Sequence, residues 1–182
     1  MPHRLRPELI VLLCALLVAP LPADGRTTAG TSTTRTVAAP LSLRVQGSKF
    51  IDSAGNVVQL RGVNYSGFEF AAIQGWSGND PSGGQAGQPG GPKWSALQSW
   101  KVNALRIPLN EASWQNRTCT DTSGVVRDAD PADNYQAKVR EQVAQANAAG
   151  MYVILDLHWS APGNSCPMLQ TQMANADHSL AF

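Results

Sequence analysis

Charge is sparse in this chain and has no bias in sign: 14 lysines and arginines face 13 aspartates and glutamates over 182 residues, for a formal net charge of +1. That balance provides neither a polyanion-binding surface nor an acidic tail, and it argues against nucleic acid as a partner. Cysteine is scarce too, at three residues, and no CxxC or HxxxH spacing accompanies it, which makes zinc the weakest reading of the thiols. Long hydrophobic runs are missing. The N-terminal run Leu9 to Val18 is about ten residues, whereas a membrane span needs roughly 20. No motif implies a metal or an organic cofactor.

What the N-terminus does carry is a targeting pattern. Arg4 and Arg6 precede the short apolar run, and small residues with prolines follow it up to Ala23, as in a secretory signal peptide over residues 1–23. An uncleaved anchor is the alternative. Residues 24–40, rich in Thr, Ala and Gly without apolar periodicity, read as a linker. Folding is expected from Leu41 to Phe182. Cleavage would remove Cys14 and leave Cys119 and Cys166 in an oxidising compartment, each in a loop after a predicted strand. A bridge between them would stabilise the fold by roughly 4 kcal/mol on the chain-entropy estimate, with two free thiols as the other possibility.

The stretch MYVILDLHWS, Met151 to Ser160, organises the rest. Tyr152 to Leu157 is an apolar run between an Ala-Ala-Gly stop and a Pro-Gly loop, which predicts a strand of a parallel sheet buried on both faces. Strand alternation puts Ile154, Asp156 and His158 on one face and Val153, Leu155 and Leu157 on the other. Asp156 inside a sheet needs a partner, and Arg106 on the preceding strand is the candidate. His158 is either a site residue or a hydrogen-bonded structural residue.

Upstream, Leu43 to Asp52 and Val57 to Val63 are strand-like runs joined by a Ser-Ala-Gly-Asn turn, a hairpin that would cap the base of the sheet, with Gly62 marking close packing. Gly75 to Pro92 is expected to be a surface loop. A short helix follows, with Trp94, Leu97 and Trp100 or Lys101 at helical spacing, then the strand Ala104 to Leu109. A long loop over residues 110–129 holds Trp114 and Cys119. The next helix is announced by Asp130 as N-cap and Pro131, carries a stripe of Tyr135, Val139, Val143 and Ala146, and stops at Gly150. Asp177 to Phe182 looks like the start of a further helix. Asn64-Tyr65-Ser66 and Asn116-Arg117-Thr118 match the N-glycosylation pattern, the first at a position expected to be buried.

Three segments, LRGVNYSGFEF (60–70), NALRIPL (103–109) and YVILDLHWS (152–160), in this order resemble the first three barrel strands of glycoside hydrolase family 5, the cellulase-type enzymes. The resemblance implies an α/β fold, a (β/α)8 TIM barrel, of which residues 41–182 would supply about the first three βα units and an N-terminal β-hairpin. It implies secretion, a β-linked polysaccharide or oligosaccharide as partner, and a monomer when full length. Arg106 would hold the nucleophilic carboxylate, and His158 would donate to a sugar hydroxyl. Trp159, Tyr65 and Trp114 would line the sugar site, with Trp76 as a more distant contact; rim or core packing is the alternative for each, and the expectation for Trp94 and Trp100.

The family's retaining reaction uses two glutamates about 5 Å apart, after the fourth and seventh strands. Both are expected beyond Phe182, so no catalytic residue is assigned here. Asn110-Glu111 imitates the acid/base dipeptide but follows the second strand and lacks the proline; Glu69 and Asp156 read as structural partners. The chain is therefore expected to be inactive by itself. A secreted carbohydrate-binding protein without catalysis, a mannanase or other β-glycanase specificity, and a structural secreted domain remain alternatives.

Overall fold

The computed structural model describes residues 41–76, 80–83, 90–170, 177, 178 and 182. The signal peptide, the linker and half of the expected last helix lie outside them.

The described chain begins with an antiparallel meander: β1 (Leu43–Gln46), β2 (Lys49–Asp52) and β3 (Val57–Val58). The one strand expected over Leu43 to Asp52 is thus two. Gly47, at φ 60°, reverses the chain between Gln46 and Lys49, which pair with each other. The turn after Asp52 forms as expected, its carboxylate accepting from the Ala54 and Asn56 amides at 2.9 and 2.8 Å. The run from Val57 to Val63 also divides, because β4 (Gly62–Asn64) belongs to another sheet. Asn103 makes that division: its side chain accepts from the Arg61 amide at 2.7 Å and donates to the Gln59 carbonyl at 2.9 Å, occupying backbone groups that a continuous strand would pair.

The second sheet is parallel, in the order β4, β5 (Ala104–Asn110), β8 (Tyr152–Trp159). At Gly62 β5 leaves little room for a side chain on β4; a Cβ there would stand 3.0 Å from the Ala104 carbonyl oxygen. Leu105, Ile107 and Leu109 on one face of β5 are fully buried, packed with Phe68, Leu97, Met151 and the helical residues Tyr135, Val139 and Ala146. Those helices are α1 (Trp94–Ser99) and α3 (Tyr135–Ala148). In α1 the packed residues are Trp94 and Leu97; Trp100, just past the helix, is 69% exposed.

The helix α3 starts later than Asp130, since Pro131 to Asp133 form a turn in which Asp133 takes φ 48°. Asp130 still caps it from a distance, accepting from the Asn134 amide at 3.2 Å and the Tyr135 amide at 3.0 Å. Residues 110–129 are more ordered in structure than the expected loop. Asn110 caps a short helix, α2 (Glu111–Trp114), by accepting from the Ala112 and Ser113 amides, and a small hairpin follows from β6 (Thr118–Thr120) to β7 (Val126–Asp128). Nor is the glycine-rich segment wholly at the surface, because Pro81 and Ser82 are buried.

The expected burial of Tyr152 to Leu157 on both faces does not hold. Ile154 and Leu155, on opposite faces, are each 46% exposed. Among the described residues β8 has a hydrogen-bonded neighbour on one edge alone, so its side chains lack a neighbouring strand's on the other side.

Candidate functional site

Parallel registry brings the polar side chains together. Arg106 stands opposite Ile154 and next to Asn64, and Pro108 stands opposite Asp156, so Arg106 and Asp156 lie one step apart on the same face. The Arg106 guanidinium donates through Nη2 to Asp156 Oδ2 at 2.5 Å and through Nη1 to Asn64 Oδ1 at 3.2 Å. His158 joins them: its Nδ1 is 2.9 Å from Asp156 Oδ2 and 3.2 Å from Arg106 Nη2. The register slips between Leu109 and Asn110, which pair with Leu157 and Trp159, and this leaves His158 without a partner on β5. Such an extra residue re-aims its side chain and commonly marks a site. The side chains of Arg106, Asp156 and His158 keep 34%, 27% and 19% of their exposure, so a ligand can reach the cluster.

Next to His158 in sequence, Trp159 begins a line of aromatic rings. Trp159 is tilted against Phe70 at 6.2 Å, and Phe70 meets Trp76 edge-on at 5.2 Å. Trp159 also packs on the cluster of Ile73, Ala112, Cys119 and Ala129, while Trp76 is 58% exposed. Behind Trp159, Cys119 and Cys166 form a disulfide with Cα atoms 4.8 Å apart, tying β6 to the loop after β8.

Residues 51–179 match the family model described as cellulase (glycosyl hydrolase family 5), well over half of the chain. The chain belongs to glycosyl hydrolase family 5. Over 111 residues this family 5 chain is 32% identical to the major extracellular endoglucanase of Xanthomonas campestris pv. campestris, a match over 60% of the chain. It thus spans 22% of the length of the curated relative it matches.

Not every residue assigned by the family 5 resemblance reaches the cluster. The Tyr65 hydroxyl is committed to the glycine-rich segment, donating to the Ser82 carbonyl and accepting from the Gly91 amide at 2.6 Å. Burial raises its pKa above the ordinary tyrosine value. Trp114 lies elsewhere: it packs on Phe182 at 5.4 Å and lines a hollow with Asn134, Gln136 and Arg140. The turn of α2 carries it past the strand end and toward α3. Glu111 is fully buried and ion-paired with Arg117 at 3.2 Å, and Glu69 accepts from the Ser66 hydroxyl and the Gly67 amide, so both acids serve the fold. Asn64 was missed as a partner of Arg106 and is exposed rather than buried; the parallel register of β4 with β5, invisible in the residues themselves, places it there.

Proposed function

We propose that this family 5 chain is the N-terminal part of a secreted glycoside hydrolase that cleaves β-linked glucan, endo-β-1,4-glucanase-like, by retaining double displacement. In this reading the β4-β5-β8 sheet is the first arc of a (β/α)8 barrel. Residues 1–23 are the signal peptide and 24–40 the linker before it. Among the described residues no helix is long and apolar enough to cross a membrane.

The observation that carries the reading is the convergence of Arg106, Asp156 and His158 on one face of a parallel sheet, partly exposed, with His158 near the C-terminal end of β8. Arg106 spends N–H donors on Asn64 and Asp156 and has others left for a nucleophilic carboxylate. His158 contacts the sugar beside the scissile bond, and the partly exposed Trp159, Phe70 and Trp76 offer flat apolar surface for pyranose C–H faces.

Of the acids among the described residues, Asp156 is the one that touches the cluster, and Glu69 and Glu111 are held by other groups. A double displacement needs two carboxylates about 5 Å apart. The glutamate acid/base and nucleophile therefore belong to polypeptide beyond Phe182, and the 182-residue chain is inactive alone. Reducing-end release from soluble β-glucan, compared between this chain and one extended to the relative's length, tests this; turnover by the short chain overturns it. If the extended chain also fails to hydrolyse but retains glucan, the second reading, carbohydrate binding without catalysis, replaces the first. Release from β-mannan instead of β-glucan would move the specificity within the family.

A further inference from the structure

We propose that Asp156 is a positioning residue that fixes the tautomer of His158, so that the imidazole faces its ligand as a hydrogen-bond acceptor. This rests on the glycan reading above only for the identity of the ligand; the tautomer itself follows from three distances. Asp156 Oδ2 lies 2.5 Å from Arg106 Nη2 and 2.9 Å from His158 Nδ1, and Nη2 lies 3.2 Å from Nδ1. A guanidinium can only donate and an ionised carboxylate can only accept. The place of the ring proton decides which neighbour His158 satisfies.

A bare Nδ1 would direct its lone pair at an anionic oxygen 2.9 Å away, with the longer Arg106 contact as its one compensation. A protonated Nδ1 donates to that oxygen in a charge-assisted bond, the stronger kind. Arg106 is already served by Asp156 and Asn64 and loses little. The proton of the neutral ring therefore sits on Nδ1, and Nε2, which has no partner among the described residues, is left as an acceptor. A sugar hydroxyl donates to His158, the reverse of the direction that the family resemblance implies. Substrate recognition follows from this: the ligand atom at Nε2 must carry a hydrogen, so a glucan methylated at that oxygen is refused where the free hydroxyl is accepted.

The chain has three histidines, so long-range proton–nitrogen correlation spectra of the 15N-labelled 182-residue protein can be assigned with a His158→Gln variant. At a pH where the ring is neutral, His158 is expected to show a protonated Nδ1 and a bare Nε2. In Asp156→Ala, Arg106 is the remaining neighbour of Nδ1 and can only donate to it, so the proton is expected to move to Nε2. A wild-type ring protonated on Nε2 overturns the proposal without any variant, and so does an Asp156→Ala ring that keeps its proton on Nδ1. Adding a β-1,4-linked glucose oligosaccharide should shift the Nε2 resonance; an Nδ1-protonated ring whose Nε2 does not respond upholds the tautomer and counts against the glycan reading instead.

Discussion

The strands β5 and β8 lie side by side in one parallel sheet and are both written mainly in aliphatic residues, yet their environments differ. β5 is buried along its length apart from Arg106, whereas Ile154 and Leu155 at the middle of β8 are each 46% exposed. The difference is lateral. β5 is hydrogen-bonded on both edges and covered by α1 and α3, while β8 has a described neighbour on one edge. Residue type says which side chains can be buried; neighbours on either hand decide which are. The polar cluster sits across this boundary, with its arginine on the enclosed strand and its acid and imidazole on the accessible one.

The largest test of that contrast is a pair of truncations. Ile107→Ala in β5 should destabilise the protein by about 2–5 kcal/mol, and Leu155→Ala in β8 by under about 1.5 kcal/mol, because the half-exposed site loses less burial and leaves no closed cavity. Chemical denaturation of the two variants measures both. Equal losses would mean that β8 is enclosed in solution.

A smaller effect reads the closed end of β5. The Tyr135 hydroxyl accepts from the Asn110 amide at 2.8 Å and donates to the Phe68 carbonyl at 2.9 Å, and burial pushes its pKa far above the ordinary value of 10.0. The unfolded chain thus releases this proton near pH 10 while the folded chain keeps it. Stability from this group is fully present below the unfolded pKa and falls as pH rises beyond it, by about 1.4 kcal/mol per pH unit. Tyr135→Phe should be less stable by about 1 kcal/mol at neutral pH and should lose this part of the alkaline slope. Denaturation at pH 9 to 11 checks it; a variant with the wild-type slope would show that Tyr135 is not buried as described.

Much of this was legible in the sequence because the signals were local. The apolar runs of β5 and β8, the stripe Tyr135, Val139 and Ala146, the stop at Gly150 and the Arg106–Asp156 pairing each follow from spacing or from the expense of an unpaired buried charge. Of the two possibilities open for Cys119 and Cys166 the bridge forms, with Cys119 on β6 rather than in a loop. What could not be read was non-local. The division of β3 from β4 depends on Asn103, some forty residues later, and the clamp of Tyr65 on Ser82 and Gly91 depends on a glycine-rich segment with no periodicity. The bulge at His158 appears only once β8 is laid against β5. Nor does the sequence show that an Asn cap makes a helix, with Trp114 on it, of what reads as loop.

Under the proposed function the chain meets sugar at the side chains of Asn64, Arg106, Asp156 and His158, together with Trp159. Titrating the labelled protein with a β-1,4-linked glucose oligosaccharide and following backbone and side-chain resonances tests it directly. Shifts are expected to concentrate at those five residues and to be abolished by Arg106→Ala, with Trp114 and the residues facing α3 unmoved. Shifts centred on Trp114, or none at any of the five, would contradict it.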